Sequence, residues 1–168
     1  DSELAVEIDQ IDIAARRAQS LVRGLLTFAR RTPGQPKPND LGAIIDEVTR
    51  LLRASVPPTI HLDHTDTGDD LTILGDETHL HQIVMNLCRN AVEAIGGAPG
   101  AIRIRAQRLT GEPPSGLSDR ANDWVRLDVA DDGPGMSAET KAQLFDPFYT
   151  TKPLGKGSGL GLAVVLGL

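Results

Sequence analysis

The sequence predicts an α/β chain preceded by a long coiled-coil-like helix, and three observations carry the prediction. Residues 41–53 and 77–95 repeat apolar side chains with a helical period. Four short stretches, 59–64, 71–74, 101–108 and 124–130, read as strands interspersed with those helices. Ahead of them, the first 31 residues carry a heptad seam.

That seam runs through Leu4, Ile8, Ile11, Ala15, Ala18, Val22, Leu25 and Ala29, in alternating steps of four and three. A lone helix with such a seam leaves one face uncovered, so a partner helix is expected, from a second subunit or from elsewhere in the protein. Thr32-Pro33-Gly34-Gln35-Pro36-Lys37-Pro38 breaks the helix and marks a domain boundary, with 33–40 as linker. Leu41, Ile44, Ile45, Val48, Leu51 and Leu52 then form one stripe, with Asn39 or Asp40 as N-cap. A Gly/Asp turn separates strands 59–64 and 71–74. Leu80, Ile83, Val84, Leu87, Cys88, Ala91, Val92 and Ile95 make the stripe of the helix over 77–95. Between strands 101–108 and 124–130, residues 109–123 are polar and rich in Gly, Pro and Ser, and read as a mobile hairpin loop. A last helix opens near Gly159.

Composition narrows the function. At 168 residues and 40% hydrophobic content the chain can bury one good core. A net charge of −6 gives no basic footprint for nucleic acid. No apolar run approaches the ~20 residues of a membrane span and no signal peptide opens the chain, so a cytoplasmic location is expected, with membrane attachment only through other segments. A single cysteine, Cys88, excludes an internal disulfide and sits among apolar neighbours as a small core residue. His61, His64, His79 and His81 have no ligand-like spacing and read as surface or partly packed residues.

The chemistry concentrates elsewhere. Asn86, Asn90 and Glu93 share a helix face opposite the apolar stripe. They form either a solvated face or a ligand set. Asparagine is a poor helix former, and its amide oxygen suits Mg²⁺. Asp131 continues the Val125, Leu127, Val129 row of its strand. On a buried face its carboxylate needs donors, either backbone amides of the Asp131-Asp132-Gly133-Pro134-Gly135 turn or an adenine amino group. Gly155, Gly157, Gly159 and Gly161 recur at every second position before a helix. They make either a flexible loop or a backbone cradle for phosphates, with Lys152 and Lys156 alongside as surface lysines or phosphate counter-charges. Three of the five aromatics, Phe145, Phe148 and Tyr149, cluster just before that loop, as a hinge anchor or a core plug.

In this order the motifs resemble the catalytic ATP-binding domain of bacterial sensor histidine kinases. Residues 81–94, from His81 to Ala94, resemble the family's N box, Asp131 to Gly135 its G1 box, Phe145 to Lys152 its F box and Gly155 to Leu162 its G2 box. Leu25-Leu26-Thr27-Phe28-Ala29-Arg30, with the heptad helix, resembles the second helix of the dimerisation and histidine-phosphotransfer bundle. The resemblance implies a two-layer sandwich of the Bergerat type, a mixed sheet with helices on one face, over 41–168, with 1–32 belonging to the bundle. It implies ATP and Mg²⁺ as ligands, with Asn90 coordinating the metal and Asn86 assisting. It assigns Asp131 to the adenine amino group, with Gly133 and Gly135 allowing the base close. Gly157, Gly159 and Gly161 would wrap the phosphates, Phe148, Thr151, Lys152, Ser158 and Leu160 would also bind the nucleotide, and Phe145 and Phe148 would anchor a lid. The implied reaction is γ-phosphoryl transfer to a histidine and onward to an aspartate of a response regulator, in a homodimer joined through the bundle.

In the family the acceptor histidine lies on the first bundle helix, so it is expected outside this chain, and further strands are expected after Leu168. The related ATPases of the gyrase, MutL and chaperone type provide a second reading. They place a glutamate base four residues before the metal asparagine, where this chain has Asn86. A non-catalytic nucleotide-binding or dimerisation module is a third.

Overall fold

A computed structural model describes residues 36–65, 67–111, 123–152 and 157–168, together with Ala15. The heptad helix, residues 33–35 of the expected linker, the tip of the 109–123 loop, Gly155 and Lys156 lie outside the described residues. The chain divides into two compact units, one spanning Pro33–Gly135 and one formed by Asp1–Thr32 with Met136–Leu168.

In the first unit, strand β1 (Lys37–Asp40) leads directly into helix α1 (Leu41–Arg53). The linker expected over 33–40 is therefore corrected at its end. Lys37–Asp40 pairs antiparallel with β3 (Thr72–Gly75), although Pro38 cannot donate to a ladder. Asp40 is the N-cap, its Oδ1 accepting from Gly42 N at 2.9 Å and Ala43 N at 3.3 Å. Asn39 instead donates to Gly75 O at 2.9 Å across the small sheet. Five of the six apolar residues expected for α1 are buried, while Leu51 is exposed.

Strand β2 (Ile60–Thr65) does not pair with β3, its neighbour in sequence. It lies parallel to β4 (Gly100–Thr110), which pairs antiparallel with β5 (Asp123–Asp131). The result is a mixed three-stranded sheet of order β2-β4-β5. Helix α2 (Glu77–Ile95) connects β3 to β4. It starts at Asp76, whose Oδ1 accepts from Thr78 N and His79 N, and ends at Gly96 in the left-handed region with φ 67°. Both helices cover one face of the sheet. Ile45, Val48, Val84, Cys88, Ile102 and Ile104 form the fully buried centre, and Val125, Leu127 and Val129 pack against it from β5. Residues of opposite strand parity, such as His61, Asp63, Arg103, Arg105 and Arg126, are exposed, as alternation on a half-covered sheet requires.

The α2 stripe is narrower than expected. Val84, Cys88, Ala91 and Ile95 are buried, and Leu80, Met85 and Val92 flank the core. Ile83 and Leu87 are only half-buried, because at 100° per residue they fall on the flank beside Asn86 and Asn90.

In the second unit, helix α3 (Ala138–Gln143) is absent from the sequence-based expectation. Its signal is Ser137, whose Oγ caps Thr140 N at 3.1 Å, with Glu139 in the first turn. Helix α4 (Gly161–Gly167) follows the glycine loop as expected. Among the described residues, no helix is long and apolar enough to cross a membrane.

Candidate functional site

Asn86, Asn90, Asp131, Gly133 and Gly135 all belong to the first unit. Helix α2 packs on β4 and β5, and its last turn meets the turn that follows β5. A Cβ on Gly133 would lie 3.1 Å from Ala94 Cβ, 3.2 Å from Ala94 C and 2.6 Å from Asp131 Oδ1. A side chain there would need Ala94 to give by a few tenths of an ångström and the Asp131 carboxylate to swing aside, so the close approach favours glycine. Gly135 serves differently, since its φ of 73° is conformationally restricted for other residues. Ala94 is four residues beyond Asn90, and Asn90 four beyond Asn86, so the three follow one line along the helix. That line runs into the Asp131–Gly133 turn. Asn90 thus stands one helical turn, and Asn86 two turns, before the alanine that the turn approaches, and both asparagines are half-buried.

Asp131 departs from its expected burial. The row of Val125, Leu127 and Val129 runs off the end of the core, leaving Asp131 exposed at the rim. Its Oδ1 accepts from Gly133 N at 2.8 Å, the turn-forming bond foreseen as one alternative. A carboxylate has a second oxygen, and an exposed one reaches ligands without a standing burial penalty. Glu93 belongs to a surface pair with Arg89, Nε to Oε1 3.1 Å.

Asp132 and Arg103 were missed by sequence reasoning. Asp132 N donates to Ala101 O at 3.2 Å, its Oδ2 accepts from Ala101 N at 3.1 Å, and its Oδ1 accepts from Arg103 Nη1 at 3.1 Å. The available signal was a second carboxylate in the turn, with an outward-facing arginine on the neighbouring strand.

Phe148, Thr151, Lys152, Gly157, Ser158, Gly159, Leu160 and Gly161 belong to the second unit. Here two backbone segments cross. Phe148 N donates to Gly159 O at 2.9 Å, and a Cβ on Gly159 would come within 2.4 Å of Phe148 C. Gly159 has φ 64°, and Phe148 is the one non-glycine among the described residues with positive φ, at 71°. Gly157 lies against Thr150 and Lys152, where a Cβ would meet Thr150 Oγ1 at 2.9 Å and Lys152 Cδ at 3.0 Å. The glycines therefore admit a neighbouring chain segment, a use that spacing alone did not reveal. Thr150 Oγ1 accepts from Lys152 N and Ser158 Oγ from Leu160 N, and Leu160 starts α4 without a side-chain cap. Thr151 is exposed and Gly161 is the first residue of α4. Phe145 and Phe148 are exposed rather than plugging a core.

The remaining candidates follow the bland expectation. Cys88 is fully buried, and desolvation pushes its thiol up to about 11. His64 Nδ1 lies 2.8 Å from Asp46 Oδ1 and His81 Nε2 3.4 Å from Glu47 Oε2. Among the described residues, no three His, Cys, Asp or Glu side chains are grouped to hold a metal. A cavity of about 310 Å³ bounded by Arg53, Pro57, Ile60 and Asp63 contains none of the predicted residues.

The profile of the family described as histidine kinase-, DNA gyrase B-, and HSP90-like ATPase matches residues 75–168. The chain is 36% identical over 166 residues to the sensor kinase CckA of Brucella abortus (strain 2308), covering 96% of this chain and 17% of that protein. It spans 17–24% of the length of three curated relatives it matches, all sensor proteins or kinases by name. The structure of full-length ShkA in complex with AMPPNP superposes with a TM-score of 0.64 at 30% identity, over 88% of this chain and 29% of that one. Histidine kinase ThkA in complex with the response regulator protein TrrA gives 0.65 at 25% identity, over 88% and 41%. The mixed sheet with helices on one face is thus the fold of histidine kinase catalytic domains. From Gly75 to Leu168, more than half its length, the chain carries that domain, and it belongs to the histidine kinase-, DNA gyrase B- and HSP90-like ATPase family.

Proposed function

We propose that this chain is the ATP-binding catalytic region of a sensor histidine kinase, which passes the γ-phosphoryl group of ATP to a histidine and then to a response-regulator aspartate. The observation that carries this reading is the line of Asn86, Asn90 and Ala94 ending on the Asp131–Gly133 turn. One end of that line offers neutral amide oxygens and the other an exposed carboxylate. The residues fit the group they are proposed to hold. Asn90 suits a cation that keeps water and phosphate oxygens as its other ligands, and Asn86 would help place them. Bound there, Mg²⁺ would neutralise charge on the phosphates. Asp131 would accept the adenine amino group, and the space left by Gly133 and Gly135 would admit the base. Thr151, Lys152, Gly157, Ser158, Gly159, Leu160 and Gly161 would supply hydroxyl, ammonium and backbone donors to the phosphates, with Phe148 fixing the segment's geometry.

A nucleophilic histidine needs no water-activating base, and Asn86 cannot accept a proton at neutral pH. That favours the kinase over a gyrase-type ATPase, whose glutamate would occupy this position. The relatives' names support the same choice. In the whole protein, we place residues 1–32 in a dimerisation bundle, the assembly in the cytoplasm, and a response regulator as partner, as for the ThkA complex.

The test is calorimetric titration of the full-length protein with MgATP, followed by label transfer from radioactive ATP to a bundle carrying the acceptor histidine. Asp131→Ala is expected to weaken ATP binding about 10-fold or more, the worth of a hydrogen bond to a charged group. Asn90→Ala is expected to abolish transfer. Undiminished affinity in Asp131→Ala, or brisk hydrolysis without an acceptor, would sink this reading.

A further inference from the structure

Two adjacent carboxylates, Asp131 at the last position of β5 and Asp132 at the first beyond it, have different surroundings. Asp131 bonds within the turn, to Gly133 N. Asp132 bonds only outward, to β4, through its own N–H and both carboxylate oxygens. Register between β4 and β5 ends at the Ile102–Asp131 pair, so these contacts continue the ladder one residue beyond its last pair. On its other side the turn lies close against Ala94, where a Cβ on Gly133 would come within 3.1 Å of Ala94 Cβ. Asp131 therefore sits on a turn pinned between α2 and β4.

We propose that Asp132, braced by Arg103, is a positioning residue that fixes the Asp131 carboxylate for the amino group of a 6-aminopurine, and so sets discrimination against 6-oxopurines. The proposal rests on the adenine role given to Asp131 above. Arg103 is 60% and Asp132 44% exposed, and an exposed ion pair adds little to stability. Its consequence is geometric. The guanidinium orients the carboxylate so that the other oxygen meets Ala101 N. A donor–acceptor distance tolerates only a few tenths of an ångström, so a turn that drifts by ~1 Å forfeits the bond to the base. A 6-oxopurine places a carbonyl where the amino group was, acceptor against acceptor, so the Asp131 placement that suits adenine gives it no bond at that position.

The experiment measures Kd for MgATP and MgITP by calorimetry on the full-length protein. Variants are Asp132→Ala, Asp132→Asn, Arg103→Ala and Asp131→Ala. Wild type is expected to prefer ATP about 10-fold or more. Asp132→Ala is expected to bring that ratio to about threefold or less by weakening ATP while leaving ITP unchanged, a split that general loosening would not produce. Asp132→Asn keeps an oxygen for Ala101 N but turns an NH2 toward the Arg103 guanidinium, donor against donor, and is expected to give a ratio like that of Arg103→Ala. Arg103→Ala, a change at an exposed side chain, lowers it at least twofold (roughly the loss of a single orienting bond) and serves should Asp132→Ala not fold. A wild-type ratio in Asp132→Ala or Arg103→Ala, or equal weakening of both nucleotides, overturns the proposal. If Asp131→Ala abolishes the ratio while Asp132→Ala does not, this inference alone fails. If wild type shows no ratio, or Asp131→Ala leaves it intact, the adenine role of Asp131 fails and takes this proposal with it.

Discussion

Phe148 and Gly159 hold the most constrained backbone among the described residues. A non-glycine φ of 71° costs about 1 kcal/mol or more, and it persists here with its N–H bonded to Gly159 O. Gly159→Ala would add a Cβ only 2.4 Å from Phe148 C, so the crossing must open. On the proposed nucleotide role of this loop we expect MgATP affinity to fall about 10-fold or more; calorimetry on the folded variant checks it, and unchanged affinity would overturn the role proposed for the crossing. Cys88 makes the opposite kind of prediction. Its thiol is raised from 9.0 to about 11 by burial, so the folded state favours the protonated form. That contribution is full below pH 9 and is lost as pH rises from about 9 to about 11. Alkylation at pH 8 should proceed only through unfolding, and rapid labelling of native protein would contradict the buried placement.

Helices α1 and α2 show how capping converts sequence into boundaries. Asp40 and Asp76 each accept two amides of the following turn, and both helices begin where the sequence places them. A hydrogen bond from the His79 amide, foremost among several contacts, lowers the Asp76 carboxyl below its ordinary 3.8. Its folded value is depressed, so its contribution is present above pH 3.8 and disappears as pH falls through the lower folded value. Asp76→Ala should therefore reduce the melting temperature by a few degrees at neutral pH. The difference from wild type should close in strong acid, and a pH-independent difference would refute a capping origin. Strand β1 had no comparable local signal. Lys37-Pro38-Asn39-Asp40 lacks apolar alternation, and it is a strand because β3, paired from Lys37↔Gly75 to Asp40↔Thr72, supplies its partner.

At the scale of the whole molecule, nucleotide binding and stability are linked by mass action. MgATP at about 100 times its Kd should stabilise the folded protein by about 2.7 kcal/mol, a rise in melting temperature that calorimetric scans can read. Asp131→Ala should lose most of that rise, whereas a rise independent of Asp131 would point to binding elsewhere. Helices α1, α2 and α4, the strands β4 and β5, the core faces of α1 and α2, and the Asn86, Asn90 and Asp131 candidates follow from local periodicity and short motifs. Those signals are legible because each involves residues within one or two turns of each other. The sequence leaves open that β2 pairs with β4 rather than β3, that Asp131 leaves the core at the sheet's rim, and that Asp132 reaches Arg103. The glycines at 133, 157 and 159 could be noticed as glycines, but their neighbours are Ala94, Lys152 and Phe148, brought close by packing. What the chain alone determined is which side chains face together along each element. Which elements meet, and hence which atoms exclude a Cβ or fix a carboxylate, is decided by non-local contacts that only the folded structure contains.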